Sequence, residues 1–390
     1  MQSIPDITRS WWGWREFLGL ARHTLDTYAT YRDLYHPTVS FRFAGTRHVF
    51  FYRPEAVSEV LRHPDFCRYP PLIRVLRQVI GESVTSEEGD VWRARRRAIA
   101  PLTKSQGQSQ TILSVIQSSW RGPETFLVMP RMAELAMRLF CACVLNYFPP
   151  PSRDGEIRRF GQDLEYLGRC AMIELFLPEG LPQWLPWPWV RAKRNAISRL
   201  KEFVQGLPVQ CELPFDEVLN LMLAGHETTA SAMSWMLYLL AQRPEDCERC
   251  ASDLDYCEKV ARETLRLYPP APAVFLRQAL RDLSIDGYFL PKGSVVHLSS
   301  WAIQRDPLLW ERSAEFWPER PPPSHPQSYF PFGYGPRSCL GQGLALLEMS
   351  HLAHWLCQHF HLSSPTQVAR TEMRFSLWPG WPLQLSLRSR

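Results

Sequence analysis

The stretch Phe332-Gly333-Tyr334-Gly335-Pro336-Arg337-Ser338-Cys339-Leu340-Gly341 constrains this chain more than any other. Two glycines and a proline fold it into a tight loop, and the apolar-periodic run LGQGLALLEMSHLAHWL begins directly after Cys339, which predicts a helix over about 340–358. Cys339 is then at a helix N-terminus, where unpaired N–H groups and the macrodipole favour a thiolate, a soft ligand for iron. A buried structural cysteine on a glycine turn is the alternative, and it leaves the adjacent Phe332 and Arg337 without a reason.

Around this loop the chain reads as mostly helical. Residues 38–52 alternate Val39, Phe41 and Phe43 across a turn at Gly45, a β-hairpin pattern, and Pro54 to Leu61 reads as a short helix. Helical spacing covers 92–145, with interruptions near Pro101 and Pro130, then 155–178 and 190–206. Between the last two lies LPQWLPWPWV (181–190), a stiff apolar loop holding Trp184, Trp187 and Trp189. The longest periodic segment runs from Asp216 to Arg243 between Pro214 and Pro244, a rod of roughly 42 Å. Charge at its middle argues against a membrane span. Short strands follow at 280–300, then a proline-rich meander over 304–331.

Composition removes several classes. With 44 Lys+Arg against 39 Asp+Glu, the net charge of +5 is too mild and dispersed to argue for nucleic acid. Ten irregularly spaced cysteines without a signal peptide read as thiols in a reducing compartment rather than a disulfide framework. Two cysteine and histidine groupings, Cys247-x-x-Cys250 with Cys257 and His351-x-x-His354 with His359 and His361, fall short of a zinc signature and read as solvent-facing helix residues.

The loop matches Phe-x-x-Gly-x-Arg-x-Cys-x-Gly at every fixed position, and on it the chain resembles the cytochrome P-450 superfamily of haem-thiolate monooxygenases. The resemblance implies a mainly α, triangular fold with a small β domain. Residues 1–390 would form one domain, with 38–52 and 280–300 in the β region and 92–270 with 332–358 in the helical core. The cofactor implied is haem b (iron protoporphyrin IX). Cys339 would be the proximal iron ligand, Phe332 would pack near the sulfur, Arg337 would pair with a propionate, and Gly341 completes the motif.

Further positions gain meaning beside it. Gly225, in Ala224-Gly225-His226-Glu227-Thr228-Thr229, would let a flat macrocycle approach the long helix, and Glu227 with Thr228 matches the family's acid–alcohol proton relay. A polar stripe between packed helices is the plainer alternative. Glu263 and Arg266, a surface pair by spacing alone, match the family's buried Glu-x-x-Arg, joined by Arg320 of Phe316-Trp317-Pro318-Glu319-Arg320 into a structural triad. Trp92 and Arg96 lie one helical turn apart and match a propionate-binding pattern, as does Arg277. Arg93, Arg95 and Arg97 fit a basic patch for an acidic electron donor, a nucleic-acid patch or a solvated helix face.

The implied reaction is insertion of one oxygen atom from dioxygen into a C–H bond of a large apolar substrate. The short build resembles soluble cytoplasmic bacterial members, some of which hydroxylate carotenoids and other isoprenoids. No dinucleotide fingerprint is found, so electrons are expected from a ferredoxin or flavodoxin with its reductase. A peroxygenase or isomerase, and a haem-binding sensor or carrier, are the alternatives. Phe275, Leu276, Trp184, Trp187 and the segment from Phe375 to Trp378 are expected to line the substrate pocket; the Trp-rich loop also fits peripheral contact with a membrane.

Overall fold

The computed structural model describes residues 2–175, 188–208, 213–273, 275–366, 369–374, 376–380 and 382–390. A turn at Trp11–Gly13 leads into helices α1 (Trp14–Arg22) and α2 (Thr24–Tyr35), strands β1 (Thr38–Phe43) and β2 (Thr46–Phe51), helix α3 (Pro54–Arg62) and strand β3 (Phe66–Arg68). Helices α4 (Pro70–Ile80), α5 (Gly89–Ile99) and α6 (Ser109–Ser119) precede strand β4 (Glu124–Leu127). Then come α7 (Val128–Leu145), α8 (Asp154–Leu175), α9 (Pro188–Gln205), α10 (Phe215–Ala241), α11 (Pro244–Ser252) and α12 (Leu254–Leu267). Strands β5 (Phe275–Ala279), β6 (Leu283–Ile285), β7 (Tyr288–Leu290) and β8 (Val295–Leu298) follow, with short helix α13 (Ser300–Ile303). The chain closes with α14 (Gln342–His359) and strands β9 (Phe360–Ser363), β10 (Thr371–Met373), β11 (Leu377–Pro379) and β12 (Gln384–Ser389).

Two compact units emerge. The first, Met1–Ile73 with Leu265–Cys339, is built on a five-stranded sheet of order β1-β2-β8-β5-β3. The expected hairpin pairs Thr38 with Phe51 and Phe43 with Thr46, and its turn takes Ala44 and Gly45 to φ of 48° and 85°, the left-handed pair that matches strand twist. β2 then pairs in parallel with β8. Val49, Phe50 and Phe51 are all fully buried, so β2 is covered on both faces and loses one-sided alternation. Polar side chains enter this core as a connected chain. Tyr28 Oη meets His297 Nδ1 at 2.7 Å, and His297 Nε2 meets His48 Nδ1 at 2.9 Å. Burial keeps both imidazoles neutral, holding His48 down at about 4 and His297 well below its ordinary value.

The second unit, Arg74–Thr264 with Leu340–Arg390, is helical around α10, which packs along α7, starts directly after Pro214 and ends at Ala241, two residues short of the expected Arg243. Along one side of α10, Glu227, Ser231 and Trp235 recur every four residues and reach the strand region 376–378. Ser231 Oγ and Trp235 Nε1 both donate to the Leu377 carbonyl, the latter at 3.0 Å. Fully buried Trp235 is worth about 3–5 kcal/mol against alanine. No helix among the described residues is long and apolar enough to cross a membrane.

Three sequence expectations change. Residues 124–127 are a strand on β12 inside what the spacing reads as one helical stretch, because pairing with a partner some 260 residues away overrides local periodicity. Pro130 does not interrupt a helix; it occupies the first turn of α7, where its missing N–H costs nothing. Pro188 opens α9, so the end of the 181–190 loop is helical, and Trp184 and Trp187 lie outside the described residues.

Candidate active site

The cysteine loop is fixed by its own backbone. Gly333 and Gly335 have φ of 73° and 75°, and a Cβ on Gly335 would lie 3.0 Å from the Leu61 carbonyl oxygen, so both conformation and space demand glycine there. Cys339 N donates to Phe332 O at 2.8 Å and Ser338 N to Gly335 O at 3.1 Å, closing the loop on itself. Arg62 clamps it from α3, donating to Tyr334 Oη at 3.1 Å with its guanidinium over the ring. Phe332 and Arg337 are half-buried and Cys339 is exposed. One expectation is corrected: α14 begins at Gln342 with Gly341 as its N-cap, so Cys339 precedes the helix by a Leu340-Gly341 turn. The helix dipole falls off within its first turn, so its hold on the sulfur is weaker than the sequence suggests.

Four successive residues of α10 point in four directions. A Cβ on Gly225 would stand 2.8 Å from the Phe140 ring, so this glycine admits α7 rather than a macrocycle, correcting the sequence reading. His226 turns into α8, edge-on to Phe160, and burial holds it down at about 4. Glu227 is buried and its Oε1 accepts from Ser376 Oγ at 2.8 Å and Trp378 Nε1 at 3.2 Å. Burial raises the pKa of this carboxyl above the ordinary range, while those two donors and the Arg374 charge pull it back. Thr228 Oγ1 donates to the Ala224 carbonyl at 2.6 Å. Ala224 is exposed and Thr228 half-buried, so this is the accessible side of a helix otherwise enclosed at its middle.

Among the described residues, then, Glu227 is joined to the 376–378 segment and not to Thr228. Ser376, Trp378 and Arg374 escape the sequence reading, which places the segment from Phe375 to Trp378 in an apolar wall. Leu377 and Ser376 are fully enclosed and Trp378 nearly so; Phe375 lies outside the described residues.

On β5, Phe275 and Arg277 share one face and Leu276 the other, by strand alternation. Phe275 lies 3.1 Å from where a Gly333 Cβ would be and 5.6 Å from the Phe330 ring, which brings it to the cysteine loop. Leu276, opposite His297 in the register, cannot join it in one wall. The buried Arg277 donates to the Leu276 carbonyl at 2.9 Å. On α5, the Arg96 guanidinium lies 5.9 Å from the Trp92 ring, and both are half-buried. Arg95 leaves the basic patch, since it pairs at 3.0 Å with Glu217, which is buried; Arg93 is exposed and donates to Asp90 at 3.0 Å, and Arg97 is exposed.

Arg266 is 1% exposed, so the surface-pair alternative fails for it. Its guanidinium donates to the carbonyls of Gln304 and Ser313 at 2.7 Å and of Glu315 at 2.9 Å. Arg320 shares that Glu315 carbonyl at 3.1 Å, and Glu263 is buried one turn earlier on α12. Gln304, which no sequence signal singled out, donates to the Leu265 and Arg266 carbonyls and accepts from Phe330 N, capping the end of α12 with the meander. The remaining cysteines are also corrected: Cys247, Cys250 and Cys257 are buried together with Cys357 rather than solvent-facing. No group of three or more described His, Cys, Asp or Glu residues is placed to hold a metal ion.

Comparison with known proteins points to one family and one fold. The cytochrome P450 family profile matches residues 215–385. Cytochrome P450 4c21 of Blattella germanica is 23% identical over 92% of this chain and 87% of its own length. Cytochrome P450 4d2 of Drosophila melanogaster is 33% identical over 49% of this chain and 43% of its own length. A crystal structure of a six-coordinated cytochrome P450 from Thermus thermophilus superposes with a TM-score of 0.80 at 27% identity, covering 94% of this chain and 98% of that one. CYP175A1, from another strain of the same bacterium, shares the fold at a TM-score of 0.83 and 24% identity over the whole of both chains. Residues 215–385, from the long helix through the cysteine loop, match the cytochrome P450 family of haem monooxygenases, and nearly the whole chain shares the fold of its solved members.

Proposed function

We propose that this protein inserts one oxygen atom from dioxygen into a C–H bond of a large apolar substrate, with Cys339 as the haem ligand and Glu227 and Thr228 governing proton delivery. The observation that carries the reading is the exposed Cys339 thiol on a loop closed by backbone hydrogen bonds and left-handed glycines. A thiolate so placed suits iron in softness, and Arg96, Arg277 and Arg337 suit the two carboxylates of a haem. When bound, haem supplies the redox and dioxygen chemistry. The protein's own residues decide access and protons. Glu227, its pKa raised by burial, can hold a proton nearer neutrality than an exposed carboxyl, and Ser376 and Trp378 fix the oxygen from which it leaves. Thr228 Oγ1 must rotate from the Ala224 carbonyl to pass a proton on, with water spanning the gap to Glu227.

Phe275 beside the cysteine loop supports an apolar ligand of isoprenoid class, and the exposed Arg97, with Arg93 paired to Asp90 beside it, supports an acidic ferredoxin or flavodoxin as donor. The test uses holoprotein with a supplied ferredoxin and reductase under isotopically labelled dioxygen. One labelled oxygen is expected in the product, and Thr228→Ala should lower product formed per dioxygen consumed by about tenfold while leaving haem content unchanged. An unlabelled product, or an unchanged ratio in the variant, would overturn the reaction or the relay respectively. Spin-state titration with carotenoids, sesquiterpenes, fatty acids and small polar compounds tests the substrate class; response to the polar set alone refutes it.

A further inference from the structure

The segment at 9–22 carries the largest exposed indoles of the described chain. Trp11 is 81% exposed, Trp12 58% and Trp14 47%, and Leu18 lies one turn beyond Trp14 on the same face of α1. These side chains are held out by the backbone. Gly13 has φ of 74° and a Cβ there would overlap the Arg42 carbonyl, so the turn is seated on the β1 strand as only glycine allows. Ala44 N donates to Trp12 O at 3.1 Å and Gly13 N to Ser10 O at 3.1 Å, fixing the turn from both sides. Trp12 itself is held at φ of 59°, a region that bulky residues rarely adopt. A chain that only needed to bury these rings would not hold one of them outward in an unfavoured conformation.

Charge completes the surface. Glu16, the single carboxylate of residues 9–22, is turned inward, accepting from Ser10 Oγ at 2.5 Å and Arg9 N at 3.1 Å. Arg9, Arg15 and Arg22 are exposed, and no ion pair among the described residues engages them. The result is a set of exposed indoles rimmed by exposed guanidinium groups. Indole rings partition to the boundary between headgroups and acyl chains, and guanidinium groups beside them favour negative headgroups. We propose that the Trp11–Gly13 turn and the outer face of α1 dock this protein on an anionic phospholipid bilayer surface. Trp11 and Trp12 lie against each other at 5.4 Å and Trp14 against Phe43 at 4.9 Å, and this indole cluster with its arginine rim matches an anionic lipid surface in both chemistry and charge.

The test is flotation of the haem-loaded protein with vesicles of phosphatidylcholine, with and without phosphatidylglycerol, at low and high salt. Binding should require phosphatidylglycerol and weaken with salt, and Trp11→Ser with Trp12→Gly should lower it by about tenfold or more, glycine being chosen because it accepts the Trp12 backbone. Arg15→Glu with Arg22→Glu, which leaves every indole in place, should remove the phosphatidylglycerol dependence; an unchanged haem spectrum checks the fold of each variant. Absence of binding by the parent, equal binding by parent and tryptophan variant, or equal binding to neutral vesicles would overturn the proposal. So would a concentration-dependent dimer, lost in the tryptophan variant, without vesicle binding.

Discussion

Cys339 and the cluster of Cys247, Cys250, Cys257 and Cys357 put the same side chain in opposite settings. The cluster lies on α11, α12 and α14 with its partners inside the fold: Cys247 Sγ donates to Leu240 O at 3.2 Å, and Cys257 Sγ to Cys250 O at 3.4 Å. Hydrogen bonding with Cys257 and Cys357 holds the Cys250 thiol below its ordinary value, and those two thiols are pushed up in turn. Whatever acidity one sulfur gains, its neighbours lose, and water reaches none of them. Cys339 is reached from outside, and its loop is closed by backbone atoms. Groups satisfied inside the fold should therefore register in stability when altered, and groups presented outward should register in ligand chemistry.

The largest effect is all-or-none. Cys339→Ala should abolish the strongly red-shifted Soret band of the ferrous carbon-monoxide adduct, whereas Cys250→Ala should keep it. A surviving band in the first variant would reverse the two settings. Next, Glu263→Ala is expected to leave the Arg266 region with an uncompensated buried charge and to cost about 3–5 kcal/mol, read as lower haem-replete yield and an earlier denaturant midpoint. Normal recovery would move Glu263 to the outward class.

Acid probes the inward class without mutation. His48 is held neutral, its folded pKa lowered to about 4 from an ordinary 6.5, so its contribution is complete above 6.5 and is lost as pH falls toward 4. The loss should reach about 3 kcal/mol, and His48→Gln should flatten that part of the denaturation profile. An equal pH slope in parent and variant would exclude His48 as the source. The smallest effect comes from Cys357→Ser, a hydroxyl in a thiol's place, which should cost about 1–3 kcal/mol with no change in the Soret band. Alkylation draws the same line: in folded protein stripped of haem, iodoacetamide should reach Cys339 and leave the cluster intact until denaturant is added.

What the sequence discloses follows the range of the interaction. The long helix announces itself by bounding prolines and local period, the hairpin by alternation across Gly45, and the cysteine loop by glycines whose φ values are left-handed where predicted. The directions of Gly225, His226 and Glu227 are hidden in it, since each is set by a different packed element, respectively α7, α8 and the 376–378 segment. The partners of Glu227 are some 150 residues away, and Arg95 reaches Glu217 across 122 positions. Period and composition report which residues share a face, and say little about which distant segment covers it.

The first unit is discontinuous in sequence, and this bears on how it is made. His48 of β2 pairs in register with Val295 of β8, so about 250 residues must be synthesised after the hairpin before its hydrogen-bonding edge can be closed. At ribosomal rates of about 5–20 residues per second, that edge waits roughly 12–50 s, far longer than hairpin formation itself. During that interval the β2 edge at His48, Val49 and Phe50 is without its partner strand, an apolar ribbon of the kind that recruits other nascent chains. Cellular yield should therefore depend on holdase chaperones engaging the first seventy residues, even though the finished sheet conceals every one of those three side chains.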